Sequence, residues 1–222
     1  ITWPDYTSGG GINSQRINAD GVAQWANNGV RISPFMSVGD PHCSMTSDGS
    51  GGAIVTWSDL PGPHNYDEDV FAQRVNASGV VQWTANRVPI SAAVKAQILP
   101  TIISDGSGGA IIAWMDARIT HSYASDTTDV YAQKINANGA VQWITDGVPI
   151  CTAAHAQKYP TLVSDGAGGA IITWMDYRNT HGIYPDTSHA YAQKINSKGV
   201  VQWITDGVPV CLNHNARYDN GT

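Results

Sequence analysis

Charge is scarce in this chain: of 222 residues only 14% are Asp, Glu, Lys or Arg, and Glu68 is the sole glutamate. Glu, Lys and Leu are what exposed helices are made of, whereas Asp, Asn and Gly favour turns, so the shortage argues for strands joined by tight turns. No stretch of ten or more residues repeats apolar positions at helical spacing, which excludes helical solenoids. No run approaches the roughly 20 apolar residues of a membrane-spanning helix. Basic residues are too few to offset the acids, and a net charge of −6 lacks the basic stripe that nucleic-acid binding needs. Only three cysteines occur, Cys43, Cys151 and Cys211, with no Cys-x-x-Cys pair, so they are expected to be small, partly buried thiols rather than redox or metal groups. Catalytic signatures are missing too. There is no Gly-x-Ser-x-Gly elbow, no phosphate-binding loop opening a helix and no pair of glutamates.

Repetition fills the space left by those absences. Ser104-Asp-Gly-Ser-Gly-Gly-Ala-Ile-Ile-Ala-Trp-Met-Asp-Ala-Arg118 returns as Ser164-Asp-Gly-Ala-Gly-Gly-Ala-Ile-Ile-Thr-Trp-Met-Asp-Tyr-Arg178. A looser copy spans Ser47 to Asp59, and Ile1-Thr-Trp-Pro-Asp5 is the end of another. A Gln-Trp pair alternates with this motif at Trp25, Trp83, Trp143 and Trp203, giving a period of 57–60 residues. Self-similarity at such a period means a repeat architecture.

Each unit contains four strand signals. In the third copy they are the apolar run Pro100–Ser104, the run Ala110–Asp116, the alternating segment Asp129–Asn136, and Ala140–Ile150 with its Gln-Trp pair. Asp105–Gly109 and Ala137-Asn-Gly139 are turn signals between them. The expected fold is therefore all-β, a β-propeller of four-stranded antiparallel blades, with a parallel β-helix second and stacked β-sandwiches third. The expected blades are residues 1–33 (first strand missing), 41–91, 100–151 and 160–211, and residues 212–222 lead toward a further repeat. Such a ring is incomplete, so an open strand edge is expected to meet further repeats or a neighbouring chain.

The pattern Gly-Gly-Ala-Ile-Ile-x-Trp-x-Asp-x-Arg, then Asp-Val-Tyr-Ala-Gln-Lys-Ile-Asn, then Gly-x-Val-Gln-Trp resembles tandem propeller-type repeats of large secreted or surface-exposed bacterial proteins. That resemblance implies an extracellular location and no defined activity. The chain departs from it at Ser58 and Leu60, which replace Met and Arg near Trp57, and at His189, which replaces Asp. A signal peptide is not visible, but the chain opens inside a repeat, so its absence carries no weight. A weaker likeness to sialidase propellers fails on the spacing of Ser104-Asp105-Gly106 and Trp114, and on the single glutamate.

Alternate connections of an antiparallel blade share one end. The long loops at one end hold six of the seven histidines, and tyrosines recur beside them. His64 with Tyr66, His121 with Tyr123, His155 with Tyr159, and His181 with Tyr184 are the candidate ligand-binding residues, because aromatic groups on long loops over a rigid scaffold commonly build binding surfaces. Loop packing, in which Tyr and His merely tie down long loops, is the alternative and outweighs the binding reading. The repeated tryptophans are expected to fill wedges between blades rather than stack on sugars. Asp116 with Arg118, and Asp176 with Arg178, are expected to be hairpin-closing ion pairs. Asp67, Asp69, Asp126 and Asp129 supply oxygen ligands of the kind Ca²⁺ takes, so calcium is the one candidate cofactor. A zinc site is disfavoured by the absence of a His-x-x-x-His pair.

Three functions remain in order. The first is a non-enzymatic secreted or surface module for adhesion, protein binding or surface assembly. The second is a multivalent glycan-binding propeller, and the third a glycan-degrading enzyme. The long-loop end would meet the protein or glycan. No nucleic acid and no membrane span enter any of them.

Overall fold

The computed structural model describes residues 1–7, 10–33, 42–60, 67–83, 87–119, 128–178 and 188–211. Every regular element among the described residues is a β-strand. Strands β1 (Thr2–Asp5), β2 (Gly11–Ser14) and β3 (Val30–Ser33) form a three-stranded sheet. Three four-stranded sheets follow: β4 (Cys43–Ser47), β5 (Ala53–Asp59), β6 (Asp69–Val75) and β7 (Val88–Ser91); β8 (Gln97–Ser104), β9 (Ala110–Asp116), β10 (Asp129–Ile135) and β11 (Val148–Cys151); β12 (Gln157–Ser164), β13 (Ala170–Asp176), β14 (His189–Ile195) and β15 (Val208–Cys211). Each is an antiparallel meander in chain order. Among the described residues no helix is long and apolar enough to cross a membrane.

The turn chemistry acts as the sequence implies. Asp105 Oδ1 accepts the amides of Ser107 and Gly109 at 2.8 and 2.9 Å, which closes the β8–β9 hairpin. The same contacts recur at Asp48 and Asp165. Asn136 Oδ1 likewise accepts the amides of Asn138 and Ala140, capping the turn after β10. Short polar side chains that mimic a backbone turn are favoured at such corners.

Two expected strand boundaries are corrected. The Gln-Trp segment is not part of the fourth strand: Val141 makes one isolated bridge to Ile135, and the strand proper is only Val148–Cys151. The buried side chain of Gln133 explains the departure. Its Oε1 accepts the amides of Lys134 and Trp143, both at 2.9 Å, and its Nε2 donates to Ile144 O at 2.8 Å. Backbone groups that would have formed a ladder are satisfied by a side chain instead. Gln73 and Gln193 do the same for Trp83 and Trp203. The first strand is longer than expected, Gln97–Ser104 rather than Pro100–Ser104, with its register interrupted between Ile98 and Thr101.

The sheets pack face to face in sequence order, and each core cluster is shared by two neighbours. Ile12 and Ile32 of the first sheet meet Val55, Trp57 and Phe71 of the second. Ile54, Val70, Trp83 and Ile90 of the second meet Ile112, Trp114 and Tyr131 of the third. Ile111, Val130, Trp143 and Ile150 of the third meet Ile172, Trp174 and Tyr191 of the fourth. Alternation along a strand therefore decides direction: Ile112 and Trp114 look back to the preceding sheet, and Ile111 and Ala113 look forward. First strands of consecutive sheets also lie side by side, β4 by β8 and β8 by β12, while the fourth strands do not to a comparable extent.

Tryptophans staple these interfaces as wedges. Trp83 donates Nε1 to Ala137 O of the next sheet at 3.0 Å, and Trp25 does so to Ala77 O. The ring of Trp83 lies so close to Gly139 (φ +82°) that a Cβ there would sit 2.7 Å from it. Gly21 occupies the corresponding turn of the first sheet at φ +79° with nothing within 4 Å. Gly21→Ala therefore carries only the left-handed backbone penalty of about 1–2 kcal/mol. Gly139→Ala adds displacement of the Trp83 ring, about 1–3 kcal/mol more. Equal losses of stability in urea would contradict the Trp83–Gly139 contact.

Candidate functional site

The two sets of long connections leave the sheets at one end. Asp116 is paired with both Asp129 and Gln97, and Val130 with Cys151, so the β9–β10 loop and both flanking connectors begin at that rim. Neighbouring sheets are tied together there. Gln157 N donates to Thr128 O at 2.6 Å while Thr128 Oγ1 donates to Gln157 O at 2.9 Å. Gln97 N donates to Glu68 O at 2.7 Å, repeating the link one sheet earlier.

Arginine clamps complete the rim. Asp116 accepts Arg118 Nε at 2.9 Å and Nη2 at 2.6 Å, and the indole of Trp114 at 2.8 Å. Arg118 also reaches Asp146 O at 2.6 Å and, across the interface, Ser91 Oγ of the preceding sheet at 3.3 Å. Its guanidinium lies 3.9 Å from the centre of the Tyr131 ring. Arg178 repeats all of this with Asp176, Asp206, Tyr191 and the Cys151 sulfur. These are ion pairs, as expected, but they bind sheet to sheet as well as closing a hairpin. In the second repeat Pro61, rather than Leu60, occupies the sequence position of the arginine, and Arg87 replaces it from the start of the fourth strand. It contacts Asp59 at 2.8 Å and lies 4.0 Å from the Phe71 ring. Sequence comparison missed this substitution because the charge moved to a different strand.

Of the candidate ligand-binding residues, His64, Tyr66, His121, Tyr123, His181 and Tyr184 lie outside the described residues, as does Asp126. His155 is placed on the connector into the fourth sheet and Tyr159 inside β12, at the register shift between Lys158 and Thr161, and both are exposed. Each has positive φ, +65° and +56°. Lys95 and Leu99 hold the corresponding positions one repeat earlier at +69° and +54°. The unusual backbone is thus a property of the repeat, and what differs at His155 and Tyr159 is the chemistry displayed.

The acidic candidates are not brought together as one group. Asp69 and Asp129 occupy equivalent positions in neighbouring sheets, opposite Asp59 and Asp116. Burial first, then the nearby charges of Asp146 and Asp67, pushes the Asp69 carboxyl up to about 6 against the pull of Arg87. Burial, together with Asp116 and Asp206, pushes Asp129 up to about 7. Asp129 Oδ2 is buried without a hydrogen-bond partner. Among the described residues no cluster of three His, Cys, Asp or Glu is arranged to hold a metal ion. In the fourth sheet His189 faces Asp176 in the same register, so a carboxyl pair becomes a carboxyl–imidazole pair.

The sign of the linkage at Asp129 follows from its raised value. The protonated carboxyl is the form the fold tolerates, so its contribution is fully present below pH 3.8 and is lost as pH rises through about 7. Asp129→Asn should raise stability at pH 8 by about 2 kcal/mol and change it little at pH 4. Melting curves at the two pH values check this; an equal shift at both would mean the carboxyl stays ionised throughout.

The Cys151 thiol offers no chemistry here, and Cys211 is exposed. The three cysteines are unpaired, and burial pushes the Cys151 thiol up to about 12, which leaves it protonated and unreactive at neutral pH. No family model and no curated protein matches this chain.

Proposed function

We propose that the chain is a propeller-type, non-enzymatic binding module of a secreted or surface-exposed protein, and that it engages a protein partner in adhesion or surface assembly through the end carrying the long connections. The propeller architecture is supported by sheets that pack in sequence with their first strands side by side. The observation that carries the binding function is the contrast at the rim. The backbone there is clamped by reciprocal bonds between Thr128 and Gln157, yet Val94 on a connector and Tyr159 at the register shift in β12 are exposed to solvent. A rigid scaffold with displayed apolar and aromatic groups limits the entropy lost on docking. The non-enzymatic reading is supported by the rim carboxylates Asp116 and Asp176, whose oxygens are taken up by arginine and indole donors. The secreted or surface location rests on the resemblance of the repeat motif, and no cofactor is required.

A glycan-binding function has one observation in its favour, the 56% exposure of Tyr159, whose ring could stack on a sugar. The two are separated by bead adhesion. Beads coated with the chain should bind cell envelopes, and adhesion should vanish after protease treatment of the envelopes and survive periodate oxidation of their glycans. His155→Ser with Tyr159→Ser should weaken adhesion without lowering the melting temperature. Loss on periodate alone would assign the rim to glycans; no adhesion by the unmodified chain would remove both.

A further inference from the structure

The outward face of the fourth sheet repeats a surface that is buried everywhere else in the chain. In the third sheet Ile111, Ala113, Val130, Ile150 and Cys151 are buried against the fourth, and Met115, in register with Val130, is buried too. Their counterparts Ile171 and Thr173 are only half-buried, Ala190 and Cys211 are exposed, and Met175 and Val210 are 41% and 62% exposed. Trp203, counterpart of Trp83 and Trp143, is 37% exposed where those are 6% and 9%. This is an apolar sheet face with the composition of an interface.

A matching vacancy exists at the other end of the stack. Trp3 packs against Gly29 much as Trp114 packs against Gly147, but it is half-buried where Trp57 and Trp114 are fully buried. Ile17 is 42% exposed, whereas its counterparts Val75, Ile135 and Ile195 are fully buried. Most specific is Gly21. Its counterparts Gly79, Gly139 and Gly199 are each covered by the tryptophan of the preceding sheet, Trp25, Trp83 and Trp143 in turn. Among the described residues nothing covers Gly21, and Trp203 covers no glycine.

We infer that the fourth sheet of one copy docks on the first sheet of a second copy, with Trp203 seated on the partner's Gly21 and its indole N–H aimed at the partner's Ala19 carbonyl. The occupant is set by continuity with the three internal interfaces, each of which joins this forward-facing surface to this backward-facing one. A tryptophan without its glycine and a glycine without its tryptophan, on one chain, are complementary to each other. The contact is head-to-tail rather than self-complementary, so copies either close into a ring or run on as a filament. It engages sheet faces, which distinguishes it from pairing at an open strand edge. It is also independent of the long-connection rim, so failure of one leaves the other standing.

Light scattering on the 222-residue chain across roughly two decades of concentration tests this. The mass should exceed that of one chain at the upper end and fall toward it on dilution. Alkylation of Cys211, which lies on the docking face, should slow by about tenfold or more in the associated state. The double variant Met175→Lys with Val210→Lys blocks one surface and Ile17→Lys blocks the other, all at partly exposed positions that need not perturb folding. Each variant alone should be monomeric, and an equimolar mixture should form a dimer through the one intact pair of faces. A chain that stays monomeric throughout overturns the inference. So does a single variant that still associates on its own, because the contact would then join like faces, and so does a mixture that stays monomeric while the unmodified chain associates, because the two faces would then not be each other's partners.

Discussion

Trp114→Ala should lower stability by about 3–5 kcal/mol, the range expected when a large buried aromatic is truncated. The ring is completely buried. It belongs to the cluster that joins the second and third sheets, so the cavity opens at an interface between two rigid faces that cannot easily collapse. Gly147 marks how close the contacts are, since a Cβ at that position would lie 2.5 Å from the Trp114 ring. Urea denaturation gives the loss directly, and a change below about 1 kcal/mol would contradict burial of the ring. Trp114→Phe separates packing from polarity. It keeps much of the bulk but removes the indole donor that reaches Asp116 at 2.8 Å, and should cost about 1–2 kcal/mol. Trp57 provides the control, because its indole nitrogen is buried without a partner. Trp57→Phe should therefore be milder than Trp114→Phe.

These two tryptophans also illustrate what the sequence reveals and what it hides. Both end the same motif, and their burial was legible from repetition: a residue present in every copy is one that every copy must bury. The second and third strands were legible for the same reason, since Ala110–Asp116 and Asp129–Ile135 coincide closely with apolar or alternating runs. The fourth strand was not. Val141, Gln142 and Trp143 have strand-like composition, but the side chain of Gln133, distant by ten residues, takes the backbone groups a ladder would use. Local propensity cannot register such a long-range bond. Neither could it register that Arg87 replaces the missing arginine of the second repeat, because the two positions are unrelated in sequence.

The candidate site was legible only as a location. Grouping the long connections at one end required nothing beyond strand alternation, and the pairing of Asp116 with Gln97 and Asp129 bears it out. Residue chemistry was harder to place. His155 lies just before β12 and Tyr159 within it, but their positive φ values match those of Lys95 and Leu99, so backbone geometry does not single them out. The raised carboxyls of Asp69 and Asp129 were proposed as calcium ligands from composition. What the structure adds is a tertiary effect, burial opposite a second carboxylate, which no spacing rule reports. The docking faces became visible only when burial was compared between copies, because Gly21 and Gly139 are identical as letters.

Asp176→Ala should be the most damaging change to a charged residue, at about 3–5 kcal/mol, because it leaves a buried cation uncompensated. The Asp176 side chain has no exposed surface. It accepts Trp174 Nε1 at 2.7 Å, the Arg178 amide at 2.9 Å, and Arg178 Nε and Nη2 at 2.8 and 2.6 Å. Removing it strands the guanidinium against the Tyr191 ring and the Cys151 sulfur and leaves the Trp174 indole without its acceptor. Burial works against the charge, but the bonds from Arg178 and Trp174 outweigh it and hold the carboxyl below its ordinary range. The linkage therefore runs opposite to that of Asp129. The stabilisation from Asp176 is fully present above pH 3.8 and is lost as pH falls below that value. The difference in stability between the unmodified chain and Asp176→Ala should accordingly be constant from pH 5 to 8 and shrink on acidification. Chemical denaturation at several pH values reads this out. A difference that grows toward low pH would mean that the carboxyl is not held ionised by the clamp, and that Arg178 owes its position to Tyr191 and the Asp206 carbonyl alone.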